Sequence, residues 1–372
     1  MKLKKNYILF IGLGDWNISQ LEMAKSYNFY SIVINQNKNS LALKNSDVAI
    51  NCDSRNYKKI YEIIKKKSLD EKIKYVYTGS EFVYSTACLA KKLKIKWHSI
   101  NSAMACEDKN LQKKIFLKNK ILSPKFKILS EFKQFKKDFF FTKKIIFKPT
   151  DGHASKGVKI VDKNKDHLNA FNFSKKFSVS GKVIVEEYIY GTLHDINAMI
   201  IDNKFYRLGI SDKTATAPPH AVIKKIETPT KLSISDQKKM YKIFYKSCKS
   251  LNLNQGPVKG DYIRDKNGKF YLMEVSARFH GPLSTLYAIP NTLKITPFIE
   301  LLRYLSKKKV NEHKIIKNYE NKTLITADTI KKECQISLKK KGKLNKKKWT
   351  SNYDVPIYNI KLSKLKKNTN NL

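Results

Sequence analysis

The stretch GDYIRDKNGKFYLMEVSAR, residues 260–278, reads as a β-hairpin that sets two carboxylates opposite each other. Asn267-Gly268 stands between two runs rich in aromatic and β-branched residues, a pattern that predicts a two-residue type I′ turn. With that turn, Asp261 lies directly across from Glu274 on one face of the hairpin. Two like charges at this spacing are destabilising unless a cation or a proton shares the site, so the hairpin predicts a cation-binding site.

Two further polar side chains extend the same face. Ser276 and Arg278 follow Glu274 at alternate positions, and alternate residues of a strand point to the same side. Two carboxylates, a hydroxyl and a guanidinium together indicate a site for a divalent metal and a phosphate. The alternative is a solvent-facing strand with scattered charges. The apolar residues that we expect to share this face, and to bury it, are Ile263, Phe270 and Leu272.

The net charge is the most extreme global property of the chain. The 372 residues carry a formal charge of +44, yet only five of the 75 basic residues are arginine. Base reading and bidentate phosphate binding favour arginine, and the lysines are spread along the chain, so specific nucleic-acid binding is not predicted. The simplest interpretation is a solvated lysine-rich surface that also attracts anionic substrates.

The cysteines and the hydropathy pattern bear on location. Five cysteines are widely spaced without a CxxC pair, which indicates a reduced cytoplasmic protein without a cysteine metal site. No apolar run reaches the about 18–20 residues of a membrane span, so no membrane partner is expected. The apolar run near the start leads into a glycine turn and is interpreted as a first strand, not as a signal peptide.

Strands and helices alternate over the first hundred residues, which predicts a parallel sheet in a βαβ domain. The sequence GLG at 12–14 lies in the first strand-to-helix turn, but Asn17 stands where a dinucleotide-binding fingerprint has its third glycine. A Rossmann cofactor site is therefore not expected. Farther along, one helix is predicted from Ser99 to Lys120 and another over 236–251.

A loop suited to a polyphosphate is predicted within residues 145–161, IIFKPTDGHASKGVKIV. Two strands flank a loop with Gly152, Ser155 and Gly157, whose backbone N–H groups and hydroxyl can point at phosphate oxygens. Lys148 ends the first strand just ahead of the loop, where its ammonium can reach the same phosphates. The alternative is a common glycine-containing hairpin, since the P-loop pattern is absent.

A third element, VIVEEYIYG at residues 183–191, is predicted to be an apolar strand that ends in two acidic residues and is followed by a glycine. Backbone at such a point can hydrogen-bond an adenine edge while apolar side chains cover the ring faces. Taken alone, an ordinary strand end with two exposed acids remains the alternative. The residues concerned are Glu186, Glu187, Tyr188 and Ile189.

In this order and spacing, with Asp108-Lys109 ahead of them, these elements resemble the ATP-grasp superfamily of ATP-dependent ligases. The resemblance is strongest to the branch with biotin carboxylase, the purine-pathway enzymes and the L-amino-acid ligases, and it covers about residues 6–305. It implies an ATP-grasp fold with mixed α/β and α+β character. The implied parts are an N-terminal parallel βαβ domain (1–108), an ATP-grasp domain (109–305) and a small C-terminal β-containing region with a basic tail (306–372). Within the second part, a flexible lid subdomain covers about 122–188 and a metal-binding antiparallel-sheet subdomain about 189–305.

The resemblance also implies ATP and Mg²⁺ or Mn²⁺ as cofactors and assigns a role to each motif. Arg278 faces the phosphate or the acyl intermediate, and His280 lies near the acyl site. The implied metal ligands are Asp261, Glu274 and Ser276. The implied nucleotide-binding residues are Lys109, Lys148, Gly152, Ser155, Gly157, Glu186, Glu187, Tyr188, Ile189 and His194.

The chain departs from the family pattern at three points. Ser276 stands where many members have asparagine, as in one purine-pathway branch, so a second metal would be held differently. Leu193 stands where members place a ribose-binding acid, with His194 or Asp195 as the alternatives. No biotin-attachment segment is present.

The implied activity is an ATP-dependent carboxylate–amine ligase that forms an amide between small metabolites such as amino acids, through an acylphosphate. The alternatives are a purine-pathway-like transformylase or carboxylase and, more distantly, a non-catalytic polyanion-binding protein. The expected partners are a small carboxylate and a small amine, and related folds are often homodimers. Further candidate substrate contacts are Glu81, Asp212, Lys213 and His220.

Overall fold

The computed structural model describes residues 5–136, 142–152, 155–216, 223–326, 343–350 and 353–361. The predicted contact His220 lies outside these residues. None of the helices within the described ranges is long and apolar enough to cross a membrane.

A four-stranded parallel sheet forms the N-terminal layer, as the alternating pattern predicts. The strand order is β3-β2-β1-β4, with every pair parallel. β1 is buried along its whole length, which suits a parallel sheet that is covered on both faces. The strands are β1 (Tyr7–Ile11), β2 (Tyr30–Asn35), β3 (Val48–Asn51) and β4 (Ile73–Tyr77). The accompanying helices are α1 (Ser19–Ser26), α2 (Leu41–Lys44), α3 (Tyr57–Lys66) and α4 (Val83–Lys92).

The single helix predicted from Ser99 to Lys120 is wrong, because the chain breaks into α5 (Ile100–Glu107) and α6 (Lys109–Lys118). Asp108 leaves the helical conformation, and its carboxylate accepts hydrogen bonds from the backbone N–H groups of Asn110 and Leu111. An aspartate that caps the next helix competes with continuation of the previous one. The break places Lys109 in the first turn of α6.

A second, antiparallel sheet of four strands has the order β5-β8-β6-β7 and its own apolar core. Its strands are β5 (Phe126–Leu129), β6 (Lys144–Pro149), β7 (Lys159–Asp162) and β8 (Val183–Glu187). The helix α7 (His167–Lys175) contributes Phe171 to this core. The loop between β6 and β7 is the predicted polyphosphate loop.

The third sheet has eight antiparallel strands in the order β13-β12-β9-β10-β11-β14-β16-β15. One apolar core contains residues of both this sheet and the first. Within it the ring of Phe298 lies 6.0 Å from that of Phe10 and 4.8 Å from that of Tyr77. The strands are β9 (Gly191–Ile201), β10 (Lys204–Ala215), β11 (Ile223–Thr228), β12 (Gly256–Asp265), β13 (Phe270–Ser276), β14 (Asn321–Thr326), β15 (Lys343–Thr350) and β16 (Tyr353–Lys361). The helices are α8 (Ile234–Ser250), α9 (Ile289–Leu293) and α10 (Pro297–Leu305).

The β12–β13 hairpin keeps the predicted pair but not the predicted turn. The loop has three residues, 266–268, and Asp265 donates its N–H to the carbonyl oxygen of Lys269. The Asp265 carboxylate accepts from the N–H groups of Asn267 and Lys269, which stabilises this longer loop over a type I′ turn. Gly268 takes the left-handed conformation at φ 74°. The prediction of a two-residue type I′ turn is therefore wrong.

A bulge restores the predicted register on the far side of the hairpin. Tyr262 pairs with Leu272, whereas Asp261 pairs with Glu274, so Met273 is the extra residue. The predicted opposition of the two carboxylates is confirmed. The prediction that Phe270 and Leu272 lie on the same face as the two carboxylates is wrong. The bulge turns both apolar side chains to the opposite face, where they join the main core beside Tyr262.

Candidate active site

A cleft of about 510 Å³ opens where the three sheets converge. Its walls are the loops after β1 and β4, the β6–β7 loop, and the paired strands β9, β12 and β13. Site residues predicted from separate sequence motifs therefore line a single cleft. The predicted site residues that line the cleft are Lys109, Lys148, Gly152, Ser155, His194, Asp261, Glu274, Arg278 and His280.

A second cavity of about 920 Å³ adjoins the first and shares Leu193, His194, Lys213 and Met273 with it. Tyr188 and Ile189, from the segment predicted to contact adenine and called the hinge below (residues 186–191), line this cavity. Its apolar walls suit the faces of a flat ring, while the polar cleft next to it suits charged groups. The apolar residues that line it beside the hinge are Ile146, Ile160, Ile263 and Met273.

Lys109 and the β6–β7 loop are tied together by hydrogen bonds. The backbone N–H of Lys109 donates to the carbonyl oxygen of Thr150 at 3.0 Å, and its ammonium donates to that of Gly152. Burial lowers the pKa of Lys109 below its usual value. Gly157, farther along the loop, has φ 75°, and a Cβ there would lie 2.7 Å from Cβ of Phe177. Glycine is thus required at this turn of the loop.

Glu186 is fully buried between two lysines. Lys148 Nζ lies 2.6 Å from Glu186 Oε2, and Lys113 Nζ lies 3.1 Å from Oε1. Burial acts to raise the pKa of Glu186, but the two ammonium groups more than offset it and the pKa lies below its usual value. Burial lowers the pKa of Lys113 to about 8. Glu186 therefore orients Lys148 at the floor of the cleft.

Sequence reasoning missed Lys113, although it follows Lys109 by four residues on α6 and so lies on the same face of the helix. In a chain with this many lysines, the spacing alone does not distinguish a buried lysine from an exposed one.

The hinge residues are fixed by the neighbouring backbone. Glu187 accepts a hydrogen bond from the N–H of Lys125 at 2.9 Å and donates its own N–H to the Lys125 carbonyl oxygen. Tyr188 donates its N–H to the carbonyl oxygen of Lys144. A Cβ at Gly191 would lie 2.1 Å from the Arg264 carbonyl oxygen, so glycine permits the hinge to pack against β12.

Three carboxylates form one row across the third sheet. Asp261 on β12 pairs with Glu274 on β13 and with Asp195 on β9. Asp195 is fully buried, and its Oδ2 lies 3.3 Å from Lys213 Nζ. Sequence reasoning proposed Asp195 only as an alternative ribose contact, because the register that aligns it with the hairpin depends on a distant strand.

Two lysines form ion pairs with this row. Lys213 Nζ lies 2.8 Å from Asp261 Oδ1, while Lys259 Nζ lies 2.6 Å from Asp261 Oδ2 and 2.8 Å from Glu274 Oε1. Burial alone would raise the pKa of both carboxyls, but the ammonium groups hold that of Asp261 well below its usual range. Lys259 and Lys109 likewise lower the pKa of Glu274 to about 2. Both carboxylates are therefore ionised near neutral pH.

The two histidines differ in what they offer a ligand. His194 uses both ring nitrogens, one with Thr192 Oγ1 and one with Asp212 Oδ1, each at 2.7 Å. His280 contacts the carbonyl oxygen of Gly260 through Nε2 at 3.2 Å. Burial and the nearby Lys213 lower the pKa of His280 to about 4, so its imidazole is neutral near pH 7.

Of the remaining predicted residues, Arg278 and Glu81 line the cleft and Ser276 does not. Arg278 donates from Nη1 to the carbonyl oxygen of Phe279 at 2.9 Å. Ser276 is buried opposite Lys259 and lies outside the set of described residues that line the cleft. Glu81 is on the opposite wall, where its carboxylate is 3.9 Å from the Arg55 guanidinium.

The donor set fits a divalent cation held jointly with a nucleotide. Magnesium prefers carboxylate oxygens and is commonly bound by one or two of them together with substrate phosphates. Asp261 and Glu274 supply two ionised carboxylates in the cleft that Lys109 and Lys148 also line. In the described part of the chain, no cluster of three or more His, Cys, Asp or Glu side chains forms a self-sufficient metal site. The arrangement therefore suits a cation that arrives with its phosphates.

Comparison with known proteins agrees with this geometry. Residues 106–282 match the family model described as an ATP-grasp domain. The D-alanine–D-alanine ligase of Pelagibacter ubique is 26% identical over 238 residues, which are 58% of this chain and 72% of that protein.

Solved structures superpose on nearly the whole chain. The L-amino acid ligase of Bacillus licheniformis has a TM-score of 0.79 at 15% identity, over 96% of this chain and 94% of that one. The N5-carboxyaminoimidazole synthetase of Staphylococcus aureus, solved with ADP, has a TM-score of 0.75 at 13% identity, over 97% and 94%. Together with the domain match, these likenesses confirm the predicted resemblance and the predicted fold.

Proposed function

We propose, from the premise that this chain carries an ATP-grasp domain, that it is an ATP-dependent carboxylate–amine ligase that forms an amide between small metabolites, amino acids among them. The observation that carries the proposal is the single cleft in which Lys109 and Lys148 stand close to Asp261 and Glu274. Phosphoryl transfer needs charge neutralisation and alignment, and these are the groups that supply both.

In the first step, an oxygen of the substrate carboxylate attacks the γ-phosphorus of ATP, and ADP leaves. Lys109 and Lys148 neutralise phosphate oxygens, and Glu186 keeps the second of these ammonium groups in place. The loop through Gly152 and Gly157 covers the phosphates and excludes water, which would otherwise hydrolyse the acylphosphate.

Magnesium, when bound by Asp261 and Glu274, would add positive charge at the phosphate oxygens. The apolar cavity lined by Tyr188, Ile189 and Met273 would hold the adenine. His194 has both nitrogens engaged within the protein, so we assign it a structural part and not the ribose contact.

In the second step, the neutral amine attacks the acyl carbon, and the phosphate leaves with one oxygen of the original carboxylate. The proton that the nitrogen loses passes to the departing phosphate. Arg278 stabilises the oxyanion that forms in this step. The low pKa of His280 makes it a poor acceptor for the proton of an ammonium group, so we assign it hydrogen bonding instead of general-base catalysis. Lys213, Asp212 and Glu81 remain candidate substrate contacts.

The names of the relatives support amino acids as substrates, since both the D-alanine–D-alanine ligase and the L-amino acid ligase join such molecules. Ser276, together with the likeness to N5-carboxyaminoimidazole synthetase, supports the purine-pathway alternative. Mg²⁺ or Mn²⁺ dependence and a cytoplasmic location are part of the same proposal.

A phosphate-release screen of the purified protein tests the proposal. Panels of carboxylates and amines are added singly and in pairs with Mg²⁺-ATP, and we expect release that requires one member of each class. Asp261→Asn with Glu274→Gln should abolish it, while Glu62→Gln, on the exposed surface of α3, should not. Stimulation by a nucleotide-like amine with formate or bicarbonate would favour the purine-pathway alternative. Salt-sensitive polyanion binding without any turnover would contradict both.

A further inference from the structure

Lys259 is the buried cation of the carboxylate row, and the proposed reaction gives it no part. It lies on β12 two residues before Asp261, so both side chains point to the same face. In the sheet it pairs with Ser276 on one side and with Asn197 on the other. Only 6% of its side chain is exposed, and its ammonium joins Asp261 to Glu274.

Two opposed carboxylates repel each other unless a cation lies between them, and the Lys259 ammonium is that cation here. Lys213 adds a second ammonium on the other oxygen of Asp261. Both oxygens of Asp261 therefore carry an ammonium partner, and the pair of carboxylates is compensated before a divalent cation arrives.

A divalent cation at Asp261 and Glu274 meets two obstacles in this arrangement. It competes with Lys259 for the same carboxylate oxygens, and the ammonium repels it from a distance of a few ångströms. The flexible four-carbon stem of lysine lets the ammonium turn toward another anion. Lys259 also lines the cleft that would hold the nucleotide, so phosphate oxygens are within its reach.

We propose that Lys259 is a built-in counter-ion that makes binding of the divalent cation conditional on the nucleotide. Without nucleotide, the ammonium holds the two carboxylates together. With nucleotide, the phosphate oxygens take the ammonium, and the carboxylate oxygens become free for the cation. The inference rests on the proposed function, since it takes Asp261 and Glu274 as metal ligands. Coupling of this kind is reciprocal, so the cation must strengthen nucleotide binding by the same factor.

The test is a titration of the full-length protein with Mn²⁺, followed by electron paramagnetic resonance, with and without ADP. Wild-type protein should bind Mn²⁺ weakly alone and much more tightly with ADP, beyond the affinity of ADP for Mn²⁺. Lys259→Met should bind Mn²⁺ without nucleotide at least about tenfold more tightly than wild type, because the repelling charge is gone. Its enhancement by ADP should shrink by the same factor.

Two matched variants separate charge from other effects. Lys259→Arg keeps a cation at the site and should behave as wild type, and so should Lys246→Met on the exposed surface of α8. A folded Lys259→Met whose nucleotide-free Mn²⁺ affinity equals that of wild type overturns the inference.

The wild-type protein decides the question even if Lys259→Met does not fold. Tight nucleotide-free binding of Mn²⁺ that Asp261→Asn abolishes would overturn the inference, whereas weak binding with strong enhancement by ADP supports it. Failure of the proposed function looks different, because then no Mn²⁺ binds with ADP and Asp261→Asn changes nothing.

Discussion

At the scale of single residues, the guanidinium of Arg278 is the group whose loss should affect chemistry most selectively. Arg278→Gln should lower kcat for phosphate release by about a hundredfold or more, since oxyanion donors act in the transition state. The affinity for ADP should change little, because the proposed role lies at the acyl group. Steady-state kinetics and ADP titration measure the two quantities, and an unchanged kcat would remove Arg278 from the mechanism.

Glu186 offers a stability test with an internal control. Glu186→Gln leaves the buried ammonium groups of Lys113 and Lys148 without a counter-charge, and we expect a loss of about 3–5 kcal/mol in the free energy of unfolding. The same change at the adjacent Glu187 keeps an oxygen for the Lys125 N–H and should cost less than about 1 kcal/mol. Denaturant unfolding of both variants gives the comparison. Equal losses would show that Glu186 does not hold the two lysines.

The residues that sequence reasoning missed, Lys113 and Lys259, share a physical reason. Their types and spacings match those of dozens of surface lysines, and only the tertiary packing shows that each is itself buried against a carboxylate. The acids were easier to predict. Acidic residues are rare in this chain, and Asp261 and Glu274 are paired by a local hairpin.

At the scale of elements, the β6–β7 loop depends on Gly157. Gly157→Ala places a Cβ against Phe177 at a positive φ, so we expect more than about 1 kcal/mol of destabilisation and a raised KM for ATP. Gly181→Ala is the matched control, because Gly181 has φ 68° but its Cβ would meet nothing closer than 4.0 Å. Both variants carry the backbone penalty, and only Gly157→Ala should alter KM. An unchanged KM would separate the loop from nucleotide binding.

The junction of β11 with β14 depends on Glu227, which contacts Lys225, Lys231 and Lys322. Burial acts to raise the pKa of Glu227, but the lysines more than offset it and lower the pKa from 4.5 to about 2. Because the folded state holds its proton less tightly, this carboxylate stabilises the fold above about pH 4.5, and the effect is lost as the pH falls toward 2.

Glu227→Gln should therefore destabilise the protein by about 1–3 kcal/mol near neutral pH. The difference from wild type should shrink as the pH falls from 4.5 toward 2. Thermal or denaturant unfolding across this range measures it. A difference that stays constant with pH would mean that the charge of Glu227 does not hold the junction.

The elements themselves were largely predictable from the sequence, and the errors were local. The parallel sheet follows from alternating apolar strands and amphipathic helices, a pattern that depends on burial. The break at Asp108 and the three-residue loop after Asp265 were missed for a common reason. In each, an aspartate side chain accepts backbone N–H groups and redirects the chain, which periodicity does not register. The predicted pairing of Asp261 with Glu274 is nevertheless correct, because the extra residue at the Met273 bulge offsets the extra residue in the loop.

At the scale of the whole molecule, the cleft exists because three sheets bring distant segments to one place. The first and third sheets share one apolar core, in which Phe298 packs against Phe10 and Tyr77. The second sheet is connected to the third through residues 188–190, which lead from β8 into β9, where Gly191 packs closely against β12. The charge of +44 is spread along the chain, yet the lysines on which the two proposals rest line the cleft, at positions 109, 148, 213 and 259.

The central claim is that a substrate carboxylate is phosphorylated in this cleft. The most direct measurement follows ¹⁸O from a labelled carboxylate during turnover with ATP and the amine partner, with the released phosphate analysed by mass spectrometry or ³¹P NMR. An acylphosphate transfers one carboxylate oxygen to phosphate, so the account predicts one ¹⁸O atom in each phosphate released with the amide. Phosphate free of ¹⁸O, formed while the amide accumulates, would contradict it.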